Sequence, residues 1–279
     1  MGTNSNLRSI YDHTEYLSIK HDSYFSVYEK LLEKYIGKPI VFVEVGIFNG
    51  GSLFMWREYF GPSARIIGID LNPVAKDWEK FGFEIHIGDQ SDSGFWDSFY
   101  KEVGPIDVLI DDGGHTNLQQ IVTSHYAIQN IKDSGTLIVE DTHTSYFREF
   151  GNPFKYSFIN FAMHVVTSMN SRSHALRRVG NYWNKVHSIS FFESIVAFHI
   201  CRKSCIISLP VSNKGKTKNV DDFRYHGSIQ SLIYRLIKKI DSMEGLRNTF
   251  SARLFVYTLN GIQFLLARLD YIQYRKYFK

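Results

Sequence analysis

The sequence predicts a doubly wound α/β domain on a mostly parallel sheet, and three observations lead there. Short β-branched runs alternate with helical stretches between residues 40 and 146, the order expected of parallel strands joined by crossover helices. The runs close on glycine or an acid rather than fading into polar linkers. The acids Glu44, Asp70, Asp89, Asp111, Asp112, Glu140 and Asp141 stand at or just beyond the run ends, which is where open α/β sheets bind their ligands.

In chain order, Tyr24 to Tyr35 (YFSVYEKLLEKY) carries apolar residues at helical spacing and stops at Gly37. Ile40 to Val45 is a buried strand, and glycines 46, 50 and 51 lead into a helix over Ser52 to Tyr59. Strands over Arg65 to Ile69 and Phe83 to Ile87 follow, closed by Asp70 and by Gly88-Asp89. A helix over Phe95 to Glu102, a strand over Asp107 to Ile110, a helix over Leu118 to Ile131 and a strand over Thr136 to Val139 complete the alternation. Beyond Tyr146, Phe158 to Met169 reads as a helix and Val186 to Ile200 as two strands turning at Glu193-Ser194. Asn213 to Asn219 (NKGKTKN) is a polar connector, and Ser228 to Lys279 is helical in pattern.

The bulk numbers bound the function. A chain of 279 residues, 44% hydrophobic, 22% charged and 15% aromatic, is globular rather than disordered. A net charge of +4 with no concentrated basic stripe predicts no nucleic-acid partner. Cys201 and Cys205 have no zinc-type companions and read as free thiols. The first residues lack an apolar signal core, and no run reaches the roughly 18 apolar residues of a membrane span. A cytoplasmic protein without a transmembrane segment is expected.

Glu44-Val-Gly46-Ile-Phe-Asn-Gly50-Gly51-Ser52 is the first chemical motif. Glycine directly after a strand lets a ligand approach the backbone, and the wide Gly46–Gly50 spacing departs from the dinucleotide fingerprint. It suits a nucleoside with an amino-acid tail. Asp70 is placed to accept hydrogen bonds from ribose hydroxyls, with Gly88-Asp89-Gln90 beside it. The bland alternative is a generic turn next to a solvated acid.

The second and third motifs are Asp111-Asp112-Gly113-Gly114-His115 and Glu140-Asp141-Thr142-His143-Thr144-Ser145-Tyr146. Two acid pairs at neighbouring strand ends are costly without a counter-charge, and all-oxygen ligation favours magnesium, calcium or manganese over zinc. Helix N-capping can explain one such acid but not four and a histidine. His115, within a turn of that cluster, can take a proton from a metal-activated hydroxyl. His143 and Tyr146 are the candidates for substrate contact, whereas His13, His21, His86, His125 and His164 read as structural or exposed.

The stretch from Glu44 to Tyr146 resembles the metal-dependent macrolide sugar O-methyltransferases, which are class I S-adenosylmethionine-dependent enzymes. The resemblance runs through GGSLFMWREYF, IGIDL, GDQSD, GPIDVLIDDGGH and LIVEDTHTSY, and less distinctively through KHDSYFSVYEKLL and SISFFESIVAF. It implies a Rossmann-like sheet of seven strands, S-adenosylmethionine held by Glu44, Gly46, Gly50, Asp70, Asp89, Gln90 and Asp111, and Mg2+ (or Mn2+) held by Asp112, Glu140 and Asp141. His115 is the implied general base toward a hydroxyl of a sugar-containing acceptor. On this view residues 1–37 form an N-terminal helical segment, 38–202 the catalytic domain and 203–279 a C-terminal extension for which the family offers no template. A catechol or other small phenol is the alternative acceptor, and a non-catalytic protein of the same fold is the alternative outside enzymes. A homo-oligomer is expected. The apolar Leu254–Leu269 stretch is expected to pack on the catalytic domain or on a second subunit, with peripheral contact of the basic, aromatic end at an anionic membrane as the competing reading.

Overall fold

The computed structural model describes residues 7–151, 153–173, 176–216, 228–243, 245, 248–269 and 271–278. Two compact units divide between Pro210 and Val211.

The first unit is built on strands β1 (Val41–Val45), β2 (Arg65–Asp70), β3 (Glu84–Ile87), β4 (Ile106–Asp111), β5 (Ile131–Val139), β6 (Val186–Phe192) and β7 (Ile195–Ile200). They form one seven-stranded sheet in the order β3-β2-β1-β4-β5-β7-β6. The pairs among β1 to β5 are parallel, while β7 lies antiparallel against both β5 and β6. The order reverses between β1 and β4, so a crevice opens past the ends of these strands.

Helices α1 (Leu7–Asp12), α2 (Tyr24–Leu32) and α3 (Gly51–Phe60) cover one face, and α4 (Ser93–Val103), α5 (Asn117–Asn130) and α6 (Phe158–Asn170) the other. The strands show why. Phe42, Ile66, Val108, Ile110 and Ile138 join Tyr28, Trp56 and Phe60 in one core, while Val43, Ile67, Leu109, Leu137 and Val139 join Trp96, Ala127 and Phe158 in the other. Side chains alternate faces with a period of two, and both faces are buried, so the strands read as continuous apolar runs.

The expected elements lie within a residue or two of the observed ones, apart from β5. It begins at Ile131 rather than Thr136, and its pairing with β4 shifts register between Ile106 and Val108. A left-handed Ser134 (φ 73) before Gly135 accommodates the irregular start. The sequence did not announce α1 or the 3-10 segment Pro73–Phe81, whose start is capped by the Asn72 side chain on the Val74 amide. Both cysteines are free thiols.

The second unit contains the helices Ile229–Ser242 (α7) and Phe250–Leu269, which contact each other, and a short helix Tyr271–Tyr274. Ile233, Ala252 and Leu259 are buried, but Leu254, Phe264, Leu265 and Leu269 are exposed. Of the polar connector, Asn213–Lys216 has no regular structure and 217–219 lie outside the described residues. Among the described residues no helix is long and apolar enough to cross a membrane.

Candidate active site

Past the end of β1 the chain turns sharply at Gly46, with φ +82. A Cβ there would come within 2.1 Å of the Asp112 carbonyl oxygen. The close approach is fixed by hydrogen bonds that extend the sheet past the strand ends: Gly46 N–H to Ile69 O at 2.8 Å and Asp112 N–H to Val45 O at 2.9 Å. Gly50, at φ +75, opens α3 with the Trp78 ring packed where a side chain would stand.

A cleft of about 320 Å³ lies over this turn, lined among others by Gly46, Asp70, Asp89, Gln90, Asp112 and Gly114. Asp70 spans two turns, accepting from Ile47 N–H at 3.1 Å and from Asn72 N–H at 2.8 Å. Asp89 accepts from the amide and hydroxyl of Ser91. Gln90 is 5% exposed and bridges the cleft floor, donating to Asp111 and Thr123 and accepting from the Gly114 amide.

Three residues expected to hold a cofactor do not line this cleft. Glu44 has the strand parity of Phe42, so its side chain enters the α2/α3 face. There it is fully buried and accepts from Ser52 Oγ at 2.7 Å and Trp56 Nε1 at 3.1 Å. Gly50 is shut off by Trp78. Asp111 projects to the opposite face, where burial pushes its carboxyl up to about 6 even though Gln90 and the Gly113 amide favour the anion.

The acids do converge, but around a cation that the sequence reading missed. Lys20, in the segment before α2, is 1% exposed in its side chain, with Nζ 2.6 Å from Asp112 Oδ2, 3.2 Å from Glu140 Oε2 and 3.4 Å from Glu44 Oε1. Burial alone would lower the Lys20 pKa. Attraction by Asp112, Glu140 and Glu44 overcomes it and holds the ammonium charged, well above its usual value. Burial, and then repulsion by Asp112, raises Glu140 against the pull of Lys20. One ammonium shared among three carboxylates leaves the acids under-compensated.

On the outer side, Asp112, His115 and Asp141 bring donor atoms within 4.8 Å of one another, a grouping able to hold a metal ion. His115 Nε2 is 3.4 Å from Asp141 Oδ2 and 4.0 Å from Asp112 Oδ1, and its buried Nδ1 has no partner. A second grouping, His21, Asp141 and His143, shares Asp141 with the first. His21 therefore belongs at the site rather than among the bystanders, with Nε2 3.8 Å from Asp141. Tyr24, another residue missed, donates its hydroxyl to Asp141 Oδ1. Burial, then that hydrogen bond, raises the Tyr24 phenol far above its ordinary range. Glu140 belongs to neither metal grouping. It shares the parity of Glu44 and turns to Lys20. Tyr146, at the end of the 3-10 segment Thr142–Tyr146, is 58% exposed.

None of these acids is a helix cap. Thr116 caps α5 through a capping box with Gln119, and the Asp141 side chain makes no cap bond to the 3-10 segment that follows. His115 and Asp141 both adopt left-handed backbone, at φ 56 and 52. The residues are present and aimed as a hard divalent cation requires: two partly exposed carboxylates, an imidazole with an orphaned nitrogen, and negative charge that one ammonium does not neutralise.

No protein-family model matches the chain. In overall fold the chain is similar to the MycE methyltransferase of the mycinamycin biosynthetic pathway, solved in complex with Mg, SAH and mycinamycin VI. The two align with a TM-score of 0.64 at 19% identity, over 83% of this chain and 58% of that one. The fold is that of the class I methyltransferases. Among curated proteins, the chain is 34% identical over 137 residues to the 8-demethyl-8-(2-methoxy-alpha-L-rhamnosyl)-tetracenomycin-C 3'-O-methyltransferase of Streptomyces olivaceus, 45% of this chain and 33% of that one. It is 28% identical over 131 residues to the mycinamicin VI 2''-O-methyltransferase of Micromonospora griseorubida, 44% of this chain and 32% of that one. The match thus spans about a third of the length of each of these curated relatives.

Proposed function

We propose that the protein transfers a methyl group from S-adenosylmethionine to a sugar hydroxyl, with a divalent cation, Mg2+ or Mn2+, at the acid cluster. The observation that carries this reading is the placement of one base, His115, between two partly exposed carboxylates beside a glycine-walled cleft. The cleft would take the donor: Asp70, kept in place by the Ile47 and Asn72 amides, would hold the ribose, Asp89 and Gln90 the adenosine end, and Gly46 would admit the methionine end. The similarity to enzymes named for sugar O-methylation supports the acceptor class.

Asp112 and Asp141 would hold the cation, with His115 left free to move a proton. When bound there, the ion supplies Lewis acidity that lowers the pKa of an acceptor hydroxyl. His115 Nε2 takes that proton. The resulting oxygen attacks the sulfonium methyl in line, the carbon–sulfur bond breaks, and the donor leaves as the neutral thioether. Asp141 and Asp112 stabilise the imidazolium as it forms, and the cleft walls align the two reactants.

The test is methyl transfer from radiolabelled donor to a panel of rhamnosylated and macrolide glycosides, with catechols as controls. Activity toward the glycosides that is lost in EDTA and restored by Mg2+ is expected. Full turnover in excess chelator refutes the cation. His115→Asn, chosen because Asn tolerates left-handed backbone, should lower kcat by about 10²–10⁴-fold with SAH affinity unchanged. A loss under threefold between pH 6 and 9 would assign the base elsewhere.

A further inference from the structure

The positive charge of the chain is concentrated in the second unit. Residues 211–279 hold thirteen Lys and Arg against five Asp and Glu, a net +8 in a chain whose total is +4, so residues 1–210 are net negative. The same unit leaves apolar side chains in water. On the helix Phe250–Leu269, Ala252 and Leu259 mark the buried side. Opposite them Phe250, Leu254, Tyr257, Phe264 and Leu265 recur at helical spacing, each more than half exposed. Helix α7 adds an exposed row of Ile229, Leu232 and Leu236, with the exposed Arg235 and Lys239 along its edge. Lys239 also borders an apolar groove where Leu236, Ile240 and Met243 meet Ala252 and Phe255. The cationic face that Leu254–Leu269 lacks by itself is thus supplied by α7, and Arg275 and Lys276 add to it beside the exposed Tyr277 and Phe278.

We infer that residues 211–279 form a surface that lies on an anionic lipid bilayer, with the apolar rows among the acyl chains and the Lys and Arg side chains at the phosphates. Interfacial helices pair an apolar face with a cationic one, and long basic side chains reach past an apolar row to the headgroups. The charge decides between occupants. A second copy of this chain would cover the apolar rows but would set +8 against +8. A nucleic acid would answer the charge but leave the aliphatic rows in water. An anionic bilayer takes up both, and its negative surface potential draws in clustered Lys and Arg.

The test is sedimentation of the full chain with sucrose-loaded vesicles of phosphatidylcholine, with and without phosphatidylglycerol. Binding should be stronger on the anionic vesicles by about tenfold or more, and should fall as NaCl is raised from about 0.1 to 0.5 M. Arg275→Gln with Lys276→Gln should weaken it by about tenfold, and Leu254→Ser with Leu265→Ser by a similar factor. All four side chains are exposed, so both double variants should keep the native circular dichroism and melting temperature. The native chain gives an independent measurement: amide hydrogen exchange across residues 250–269 should slow on the anionic vesicles and not on phosphatidylcholine. Equal binding to the two vesicle types, no binding to either, or affinity unchanged in either double variant would overturn the inference. So would a dimer that dissociates with Leu254→Ser and Leu265→Ser, which would assign the apolar rows to a second copy. Tighter binding to a single-stranded RNA than to the anionic vesicles would assign the charge to nucleic acid and overturn it as well.

Discussion

Replacing Lys20 by Met removes the single ammonium from a pocket of three carboxylates and leaves a side chain of similar length. At an effective dielectric of about 20, charges separated by 2.6, 3.2 and 3.4 Å attract by roughly 5 to 6 kcal/mol per pair before desolvation is subtracted. Most of that gross attraction offsets the cost of burying the ammonium. The measurable quantity is the penalty for stranding its partners, which for a broken buried pair is about 3–5 kcal/mol. In a domain of this size that lowers Tm by roughly 10 °C. Thermal melts at pH 8 across about 0.1–1 M NaCl should show the drop with little salt dependence, since a buried network is weakly screened. Adding Glu140→Gln to Lys20→Met should recover part of the loss, because it removes one of the stranded charges. A Tm change under about 2 °C, or strict additivity of the two substitutions to within about 0.5 kcal/mol, would show that the ammonium is not carrying the acid cluster.

The remaining tests address the cleft. The Asp111 carboxyl is raised to about 6 from 3.8 by burial, so the stability it contributes is complete below pH 3.8 and is lost as pH rises through about 6. Asp111→Asn should therefore be more stable than the native chain by about 1–3 kcal/mol at pH 8, with the gap closing near pH 4; equal denaturant midpoints at pH 8 would refute it. Gly46→Ala places a Cβ 2.1 Å from the Asp112 carbonyl in left-handed backbone and should weaken SAH binding by about tenfold or more. Gly37→Ala, at φ +71 with nothing within 4 Å, should share only the backbone strain of about 1–2 kcal/mol and leave SAH affinity unchanged.

The strands and crossover helices were legible because β1 to β5 are rich in apolar, β-branched residues and each closes on, or directly before, a glycine or an acid. Asp70, Asp89, Gln90 and Gly46 reach the cleft as their positions implied. What the sequence reading lost was parity. Glu44, Asp112 and Glu140 fall on one face of the extended sheet and Asp111 on the other, so neighbours in sequence serve different sites. That division follows from the two-residue repeat once the register is known. Lys20 was harder to find, since nothing local marks it: it lies 24 residues from Glu44 and 120 from Glu140. The one available signal is the charge imbalance itself, which calls for a cation and does not distinguish a lysine from a metal ion. No strand-end acid cluster stands near His21 in sequence, and folding brings it to Asp141.

The left-handed backbone at His115 and Asp141 has a further consequence for how this protein would respond to selection. Neither residue is glycine, and each occupies a conformation that costs an ordinary L residue about 1–2 kcal/mol. Glycine at either position would relieve the strain while deleting the imidazole or the carboxylate. A library sorted for thermostability alone would therefore enrich glycine at positions 115 and 141, yielding folded chains stripped of their chemistry. Function here is maintained against a standing stability gradient, and only a sort that also scores turnover would keep the two residues in place.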